Sequence, residues 1–335
     1  MKNLLYIGNK LSKHGLTPTS IEILGPLLEQ DGFNVVYSSS QKNQARRLIA
    51  MLWSIFQFRK FDCVLIDTYS TTNFWYAFTT SQLCRCLQLK YIPILHGGNL
   101  ASRLKNNPKI CQMIFKHSFK NVSPSLFLIE QFKLKGYENI VHIPNAVELE
   151  NYPFLERKKA KPKLLWVRSF AKIYNPLMAV EVFASVKKKY PEATLCMVGP
   201  EKDGSLFDAK RKATDLNLDI LFTGKLSKAD WINASQEYDI FINTTHFDNM
   251  PVSVIEAMSL GLAVVSTNVG GIPFLLEDQK DALLIPDNNV DKMVESIDKL
   301  IKNTDLFSKI TASARLKAEQ FDWQGIKFKW STILK

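Results

Sequence analysis

NTTHFDNMPVSVIEAMSLGLAVVSTNVGGIP, residues 243–273, passes from one apolar strand to the next through a loop and a helix. The strand YDIFIN (238–243) closes near Asn243, and a loop holding Asp248 follows. Pro251 suits the first helical position, because it lacks the N–H that would be unpaired there. The helix runs to about Leu260 and stops at Gly261, a usual helix-ending residue. The strand LAVVST (262–267) comes next. Strand, helix and strand in this order predict a parallel sheet covered by helices.

The same alternation extends in both directions. Upstream, β-rich runs at 4–8, 33–37, 63–67, 91–95 and 121–123 are separated by helix-like stretches near 18–31, 42–58, 73–89, 108–117 and 125–135. ELENYPFLERKKAKPK (148–163) interrupts the pattern; it is charged, holds two Pro and reads as a linker. Strands then resume at 163–167, 194–199, 219–224, 238–243, 262–267 and 282–286, with helices near 175–190, 205–216, 227–235, 252–260 and 289–302. The expected fold is α/β, with two Rossmann-like doubly wound domains, 1–150 and 163–320, facing across a cleft. The amphipathic end, 321–335, reads as a helix able to pack back on the first domain. A chain of 335 residues suits two domains.

Composition is that of a globular protein, 46% hydrophobic and 22% charged. No apolar run reaches roughly 18 residues, so no membrane-spanning helix is expected. The opening MKNLLYIGNK has too short an apolar run for a signal peptide and reads as a buried first strand. Five Cys, without metal-ligand spacing, read as reduced thiols of a cytoplasmic protein. Residues 1–150 hold 17 Lys and Arg against 9 Asp and Glu, whereas residues 151–335 hold 26 against 23. A basic first half suggests an anionic partner: nucleic acid, a membrane surface or a phosphorylated substrate.

In the stretch 243–273, the N–H groups of Val252, Ser253 and Val254 are expected to point out of a helix start. Such an end binds phosphate through free donors and the positive end of the dipole. Asp248 lies just before it and Glu256 one turn inside. The two carboxylates can meet sugar and ribose hydroxyls with a diphosphate between them. Equally, Asp248 can cap the helix and Glu256 can be solvated.

Two acids separated by seven residues, then EAMSLGLAVVSTNVGGIP, resemble the signature of glycosyltransferase family 4, retaining enzymes of the GT-B fold. The resemblance implies that Asp248 replaces the family's usual Glu facing the donor sugar, and that Glu256 binds the ribose. It implies that Gly270 and Gly271 form a turn packed close to the site. Arg168, after the strand LLWV, resembles the Arg that clamps the donor diphosphate, for which a planar fork is suited. The family's partner Lys falls where this chain has Ile173, so Lys172 is the candidate; a solvated loop charge is the alternative. Gly199 in MVGP matches the next loop, and Gly224, Lys225 and Leu226 match the segment lying against the base. In the first domain Gly15 resembles a glycine-rich loop near the acceptor. His96, which ends a strand in PILHGGN, matches a His beside the transferred sugar, although a lone His is more often structural. Ser123, Ser125 and Asn145 match smaller motifs and serve equally well as turn residues.

The resemblance implies a retaining transferase that moves a sugar from a nucleoside-diphosphate sugar to a glycan or lipid-linked acceptor, in polysaccharide or glycolipid synthesis. Without an Asp-x-Asp pair or a His/Cys cluster, no metal and no cofactor are expected; Arg168, Lys172 and the helix start would offset the charge of the leaving diphosphate. An epimerase or phosphorylase on the same fold is the rival enzyme reading. A nucleic-acid binder has only charge in its favour, without a recognition helix or aromatic–basic interleaving. ARRLIAMLWSIFQFRK (45–60) joins Arg46, Arg47, Arg59 and Lys60 to Leu48, Leu52, Trp53, Ile55 and Phe56. It suggests peripheral contact with the inner face of an anionic membrane, where basic residues lie beside bulky apolar ones; the same apolar residues would equally well cover the sheet of the first domain, and both hold if only the Arg and Lys face lipid.

Overall fold

The structure, a computed structural model, describes residues 2–15, 18–97 and 99–335. The chain divides into two compact units. The first runs to Ala146 and takes in Trp323–Lys335; the second is Val147–Asp322.

The first unit holds six strands: β1 Asn3–Ile7, β2 Asn34–Ser38, β3 Cys63–Thr68, β4 Tyr91–Leu95, β5 Asn121–Ser123 and β6 Ile140–His142. They form one sheet in the order β2-β1-β3-β4-β5-β6, all pairs parallel. All six residues of β3 are buried, as befits a parallel strand with helices on both faces. Leu5, Ile7, Val64 and Ile66 meet Met51, Ile55, Ala77 and Cys84 in one core. Leu95, Phe115, Leu128 and Phe132 anchor another. The chain steps one way from β1 to β2 and the other way from β3 onward. The carboxyl ends of β1 and β3 therefore flank the switch point at which open α/β sheets bind ligands.

The second unit repeats the principle with β7 Lys163–Val167, β8 Thr194–Val198, β9 Leu221–Gly224, β10 Ile240–Asn243, β11 Ala263–Thr267 and β12 Leu283–Ile285. The order is β12-β11-β10-β7-β8-β9, again all parallel. The switch point lies between β7 and β10. Two doubly wound units in one chain make this the GT-B fold.

Four elements differ from the sequence-based expectation. Residues 148–163 are an integral part of the second unit, not a free linker. Tyr152 is buried there, and Arg157 donates to the carbonyls of Ser235, Tyr238 and Leu260 at 3.1, 2.8 and 2.9 Å. Strand β6 and the helices Leu100–Asn106 and Thr304–Glu319 were not expected. The last buries Ala314, Ala318 and Thr311 beside Phe307 and Ile310, so close packing by small residues replaces a strong apolar stripe. The final helix, Trp323–Leu334, buries Trp323, Ile326, Trp330 and Leu334, and Ser331 bonds Asp31 within the first unit at 3.3 Å.

The five cysteines are free thiols; Cys86 is exposed and the others are buried. Burial pushes Cys63, Cys84 and Cys111 up to about 12, which keeps them protonated and poorly nucleophilic. Among the described residues, no helix is long and apolar enough to cross a membrane.

Candidate active site

Arg168 leaves β7 at the switch point of the second sheet, and its amide donates to the Val198 carbonyl at 3.0 Å. Its guanidinium pairs through Nη2 with Asp248 Oδ2, and each side chain is 14% exposed. The ring of Tyr174 lies 4.9 Å from the guanidinium carbon. Arg168 Nε is buried and has no partner among the described residues. Gly199 explains how this backbone fits: a side chain there would run into the Arg168 carbonyl, and its amide donates to Gly224 at 2.8 Å.

The loop after β10 is held in place by threonines. Thr244 accepts from Trp166 Nε1 at 3.0 Å and donates to Tyr174 and Asn175 carbonyls at 2.9 Å. The Thr245 carbonyl accepts from Thr267 at 2.6 Å. Asp248 Oδ1 takes the Asn249 amide at 2.7 Å, and the Asp248 carbonyl takes that of Gly271 at 2.8 Å. Side chains at Gly270 or Gly271 would strike the Asp248 and Asn249 carbonyls, so the double glycine does pack against this loop. His246, at the same loop, pairs with Asp287 at 2.9 Å.

The helix Val252–Ser259 starts differently from expectation. Pro251 is its N-cap, with extended backbone, rather than its first residue. The Val254 amide bonds the Pro251 carbonyl at 3.1 Å, which leaves Val252 and Ser253 as the outward amides. Ser253 Oγ and Asn249 Oδ1 are buried without partners among the described residues. The helix ends as expected at Gly261, which is left-handed. Its amide reaches Met258 and that of Leu262 reaches Ala257, at 3.2 and 3.0 Å, the double bond of a Schellman turn.

Glu256 is buried but not solvated: Oε1 accepts from Tyr152 at 2.7 Å and pairs with Lys228. Burial, then the Glu256 charge, raises the Tyr152 hydroxyl far above its ordinary value, which keeps it a donor. Lys228 also lies 5.8 Å from the Trp231 ring. Lys172 is exposed at a short turn, and its amide donates to Asp203 Oδ2 at 2.9 Å. Lys225 is exposed, while half-buried Leu226 packs on the core.

In the first unit, His96 follows β4 and is nearly buried. Nε2 lies 2.7 Å from Asp67 Oδ1 and Nδ1 lies 3.1 Å from Ser20 Oγ. Tyr6 donates to the same Asp67 oxygen at 3.0 Å. Gly97 packs so closely on Ser70 that a side chain would touch its amide; Gly98, the second glycine of the motif, lies outside the described residues. Gly15 closes a short turn in the left-handed conformation, φ 82°. Ser123 bonds the Ser125 carbonyl at 2.8 Å, the turn role, and Asn145 is half-buried.

Arg168, Asp248, Gly199, Gly270 and Gly271 thus meet at one switch point, with Glu256 on the helix that follows. The sequence reading missed Tyr152, Tyr174, Lys228, Asp67 and Ser20. Asp67 had a signal, as the lone charge ending the apolar strand CVLIDT; Tyr152 was hidden in what read as a linker. Among the described residues, no group of three or more His, Cys, Asp or Glu is placed to hold a metal.

The family described as "Glycosyl transferases group 1" matches residues 149–317. An uncharacterized glycosyltransferase of Haemophilus influenzae is 28% identical over 156 residues, 46% of this chain and 44% of that protein. The UDP-Gal:alpha-D-GlcNAc-diphosphoundecaprenol alpha-1,3-galactosyltransferase of Escherichia coli is 28% identical over 172 residues, 46% of this chain and 43% of that one. The matches thus span less than half the length of these relatives. Among solved structures, Anabaena Alr3699/HepE in complex with UDP and glucose superposes with a TM-score of 0.79, covering 100% of this chain and 99% of that one at 16% identity. At that identity the likeness concerns the fold. The family match extends over half of the chain and contains both the Arg168 strand end and the Glu256 helix, and on it the chain belongs to the group 1 glycosyl transferases.

Proposed function

We propose that the protein is a retaining glycosyltransferase that passes a sugar from a nucleoside-diphosphate sugar to the hydroxyl of a glycan or lipid-linked acceptor. The observation that carries this reading is the set of polar atoms around the second switch point. Arg168 Nε, Ser253 Oγ and Asn249 Oδ1 are buried without partners among the described residues, beside a helix start. Buried polar groups are normally satisfied, so such a cluster suits a ligand rich in acceptors and hydroxyls. The diphosphate would take Arg168 and the amides of Val252 and Ser253, with Lys172 adding charge from the adjoining turn. Glu256 would meet the ribose, with Tyr152 and Lys228 holding it in place, and Asp248 would border the sugar. Gly199, Lys225 and Leu226 would lie along the nucleotide.

As the bond between the sugar and the diphosphate breaks, its electron pair stays on the diphosphate oxygen, where fixed cations and amides stabilise it. The acceptor oxygen bonds to the sugar on the same face, and its proton leaves toward the diphosphate. The UDP and glucose of the Anabaena complex and the diphosphoundecaprenol-linked acceptor of the E. coli relative favour these ligand classes. A panel of UDP-, GDP-, ADP- and dTDP-sugars tests the reading by thermal shift. One of them, at about a hundredfold over its Kd, should stabilise the protein by about 2.7 kcal/mol. No shift with any donor would sink it.

A membrane-facing role is favoured by the helix Gln44–Gln57, although not as the sequence suggested. Arg47 is turned inward, only 7% exposed, and donates to Gln41, Lys42 and Asn9. Ile49, Trp53 and Phe56 stand outward at 66%, 64% and 48% exposure, with Arg46, Arg59 and Lys60 also exposed. Arg59 lies 5.3 Å from the Phe56 ring. Bulky apolar groups ringed by cations suit the surface of an anionic bilayer, each charge contributing about 1 kcal/mol. On this reading the protein works in the cytoplasm at the inner membrane face. It should float with anionic vesicles, and Trp53→Ala with Phe56→Ala should abolish flotation at high salt. Indifference to anionic vesicles at low salt would point to a soluble acceptor.

A further inference from the structure

Asp67 is the last residue but one of β3 and His96 follows the neighbouring strand β4, and Asp67 flanks the switch point of the first sheet. Both side chains are almost wholly buried. Asp67 Oδ1 receives two groups, His96 Nε2 and the Tyr6 hydroxyl. A carboxylate only accepts, so Nε2 carries a proton; when the ring holds only that one, Nδ1 is left as an acceptor. Ser20 Oγ, at 3.1 Å from Nδ1, is then its donor. The polarity of the chain from Asp67 through His96 to Ser20 is thereby set in one direction. The Tyr69 ring, 5.1 Å from the imidazole, packs beside it.

We propose that Asp67 is a positioning residue that locks His96 as the Nε2–H tautomer, so that the ring offers a sugar hydroxyl an acceptor at Nδ1 and no donor. The inference rests on the reading of the protein as a sugar transferase. A substrate hydroxyl that reaches Nδ1 must donate to it and turn the Ser20 hydroxyl away. Hydroxyls already committed as acceptors only, or replaced by an ether, gain nothing from the ring. Gly8 is part of the device. A side chain there would place its first carbon 2.6 Å from Asp67 Oδ2 and 3.2 Å from Ile21 Cβ, so glycine is what lets Asp67 keep its place.

The test is a two-bond 1H–15N correlation spectrum of the 15N-labelled full chain near neutral pH, with His96 assigned from the His96→Gln variant. The wild type should show the Nε2–H pattern. Asp67→Asn should retain it, because the amide oxygen can still accept from Nε2, whereas Asp67→Leu should mix the tautomers. In donor turnover, Asp67→Leu should lower kcat by roughly 10- to 100-fold, as removal of a histidine's orienting partner does elsewhere. The KM for donor should move much less, and Asp67→Asn should recover most of the rate. If Asp67→Leu does not fold, Gly8→Ala takes its place, since its methyl presses on Asp67. An Nδ1–H His96 in the wild type, or an unchanged tautomer in both Asp67→Leu and Gly8→Ala, overturns the proposal. If the wild type turns over no nucleotide sugar, the transferase reading fails while the tautomer result stands by itself.

Discussion

On the proposed function, Arg168 and Asp248 serve both the stability and the chemistry of the second unit, and the two contributions can be separated. With 14% exposure on each side, the pair is mostly withdrawn from water. Breaking such a pair by removing one partner costs about 3–5 kcal/mol, because a buried charge is left behind. Arg168→Ala leaves Asp248 the Asn249 amide at 2.7 Å, which places it near the lower end, about 3 kcal/mol. Asp248→Ala strands a guanidinium whose Nε already lacks a partner among the described residues, so it should cost more. The double alanine variant removes both charges and should cost less than the sum, with a coupling of about 1–3 kcal/mol. Turnover should behave differently. Loss of the diphosphate contact removes about 2–4 kcal/mol of transition-state stabilisation, roughly 30- to 900-fold in rate. The double variant cannot recover that, since the guanidinium is still absent. The assays are urea unfolding, fitted for the transition of the second unit, and nucleotide release with saturating donor. Additive stability costs, or near-normal turnover by Arg168→Ala, would refute the reasoning.

Glu256→Gln should raise the KM for donor more than it lowers kcat, and Asp248→Asn should do the reverse; equal effects of both changes on both constants contradict their separate roles. Gly199→Ala should destabilise the second unit by about 1–3 kcal/mol through its overlap with the Arg168 carbonyl, and an unaltered melting temperature would show slack in that loop. Activity should survive excess EDTA, because Arg168, Lys172 and the helix start supply the positive charge; loss on chelation with recovery on Mn²⁺ or Mg²⁺ would contradict it. Burial alone would raise the Asp298 carboxyl, but Lys189, Tyr190 and Lys302 outweigh it and hold the group at about 2. Its folded value lies below the unfolded value near 3.9, so the stability it gives is present above about pH 4 and is lost as the pH falls toward 2. Asp298→Asn should flatten the acid limb in that window, and identical slopes would exclude the group.

Strand and helix positions were open to reading because they rest on local periodicity and local punctuation. Gly261 ends its helix, Gly270 and Gly271 turn tightly, and Arg168 follows an apolar strand, all within a few residues of the signals that mark them. The limits of that reading are local as well. The helix Thr304–Glu319 packs through alanines, which leave a faint apolar stripe. Which residues of the Gln44–Gln57 helix turn inward was left open by its mixed pattern: Arg47 is buried and donates to carbonyls, whereas Trp53 and Phe56 stand outward. Strand order is not written in any window of sequence. Only the order β2-β1-β3-β4 brings Tyr6, Asp67 and His96 together, and only the packing of 148–163 against the second sheet brings Tyr152 to Glu256, 104 residues away. By itself the sequence determined the α/β pattern, the doubled domain and the strand–loop–helix stretch that carries Asp248 and Glu256, since these follow from short-range spacing. The tertiary structure alone decided which hydrogen-bond partners hold His96, Asp248 and Glu256, since those contacts exist only once distant strand ends become neighbours.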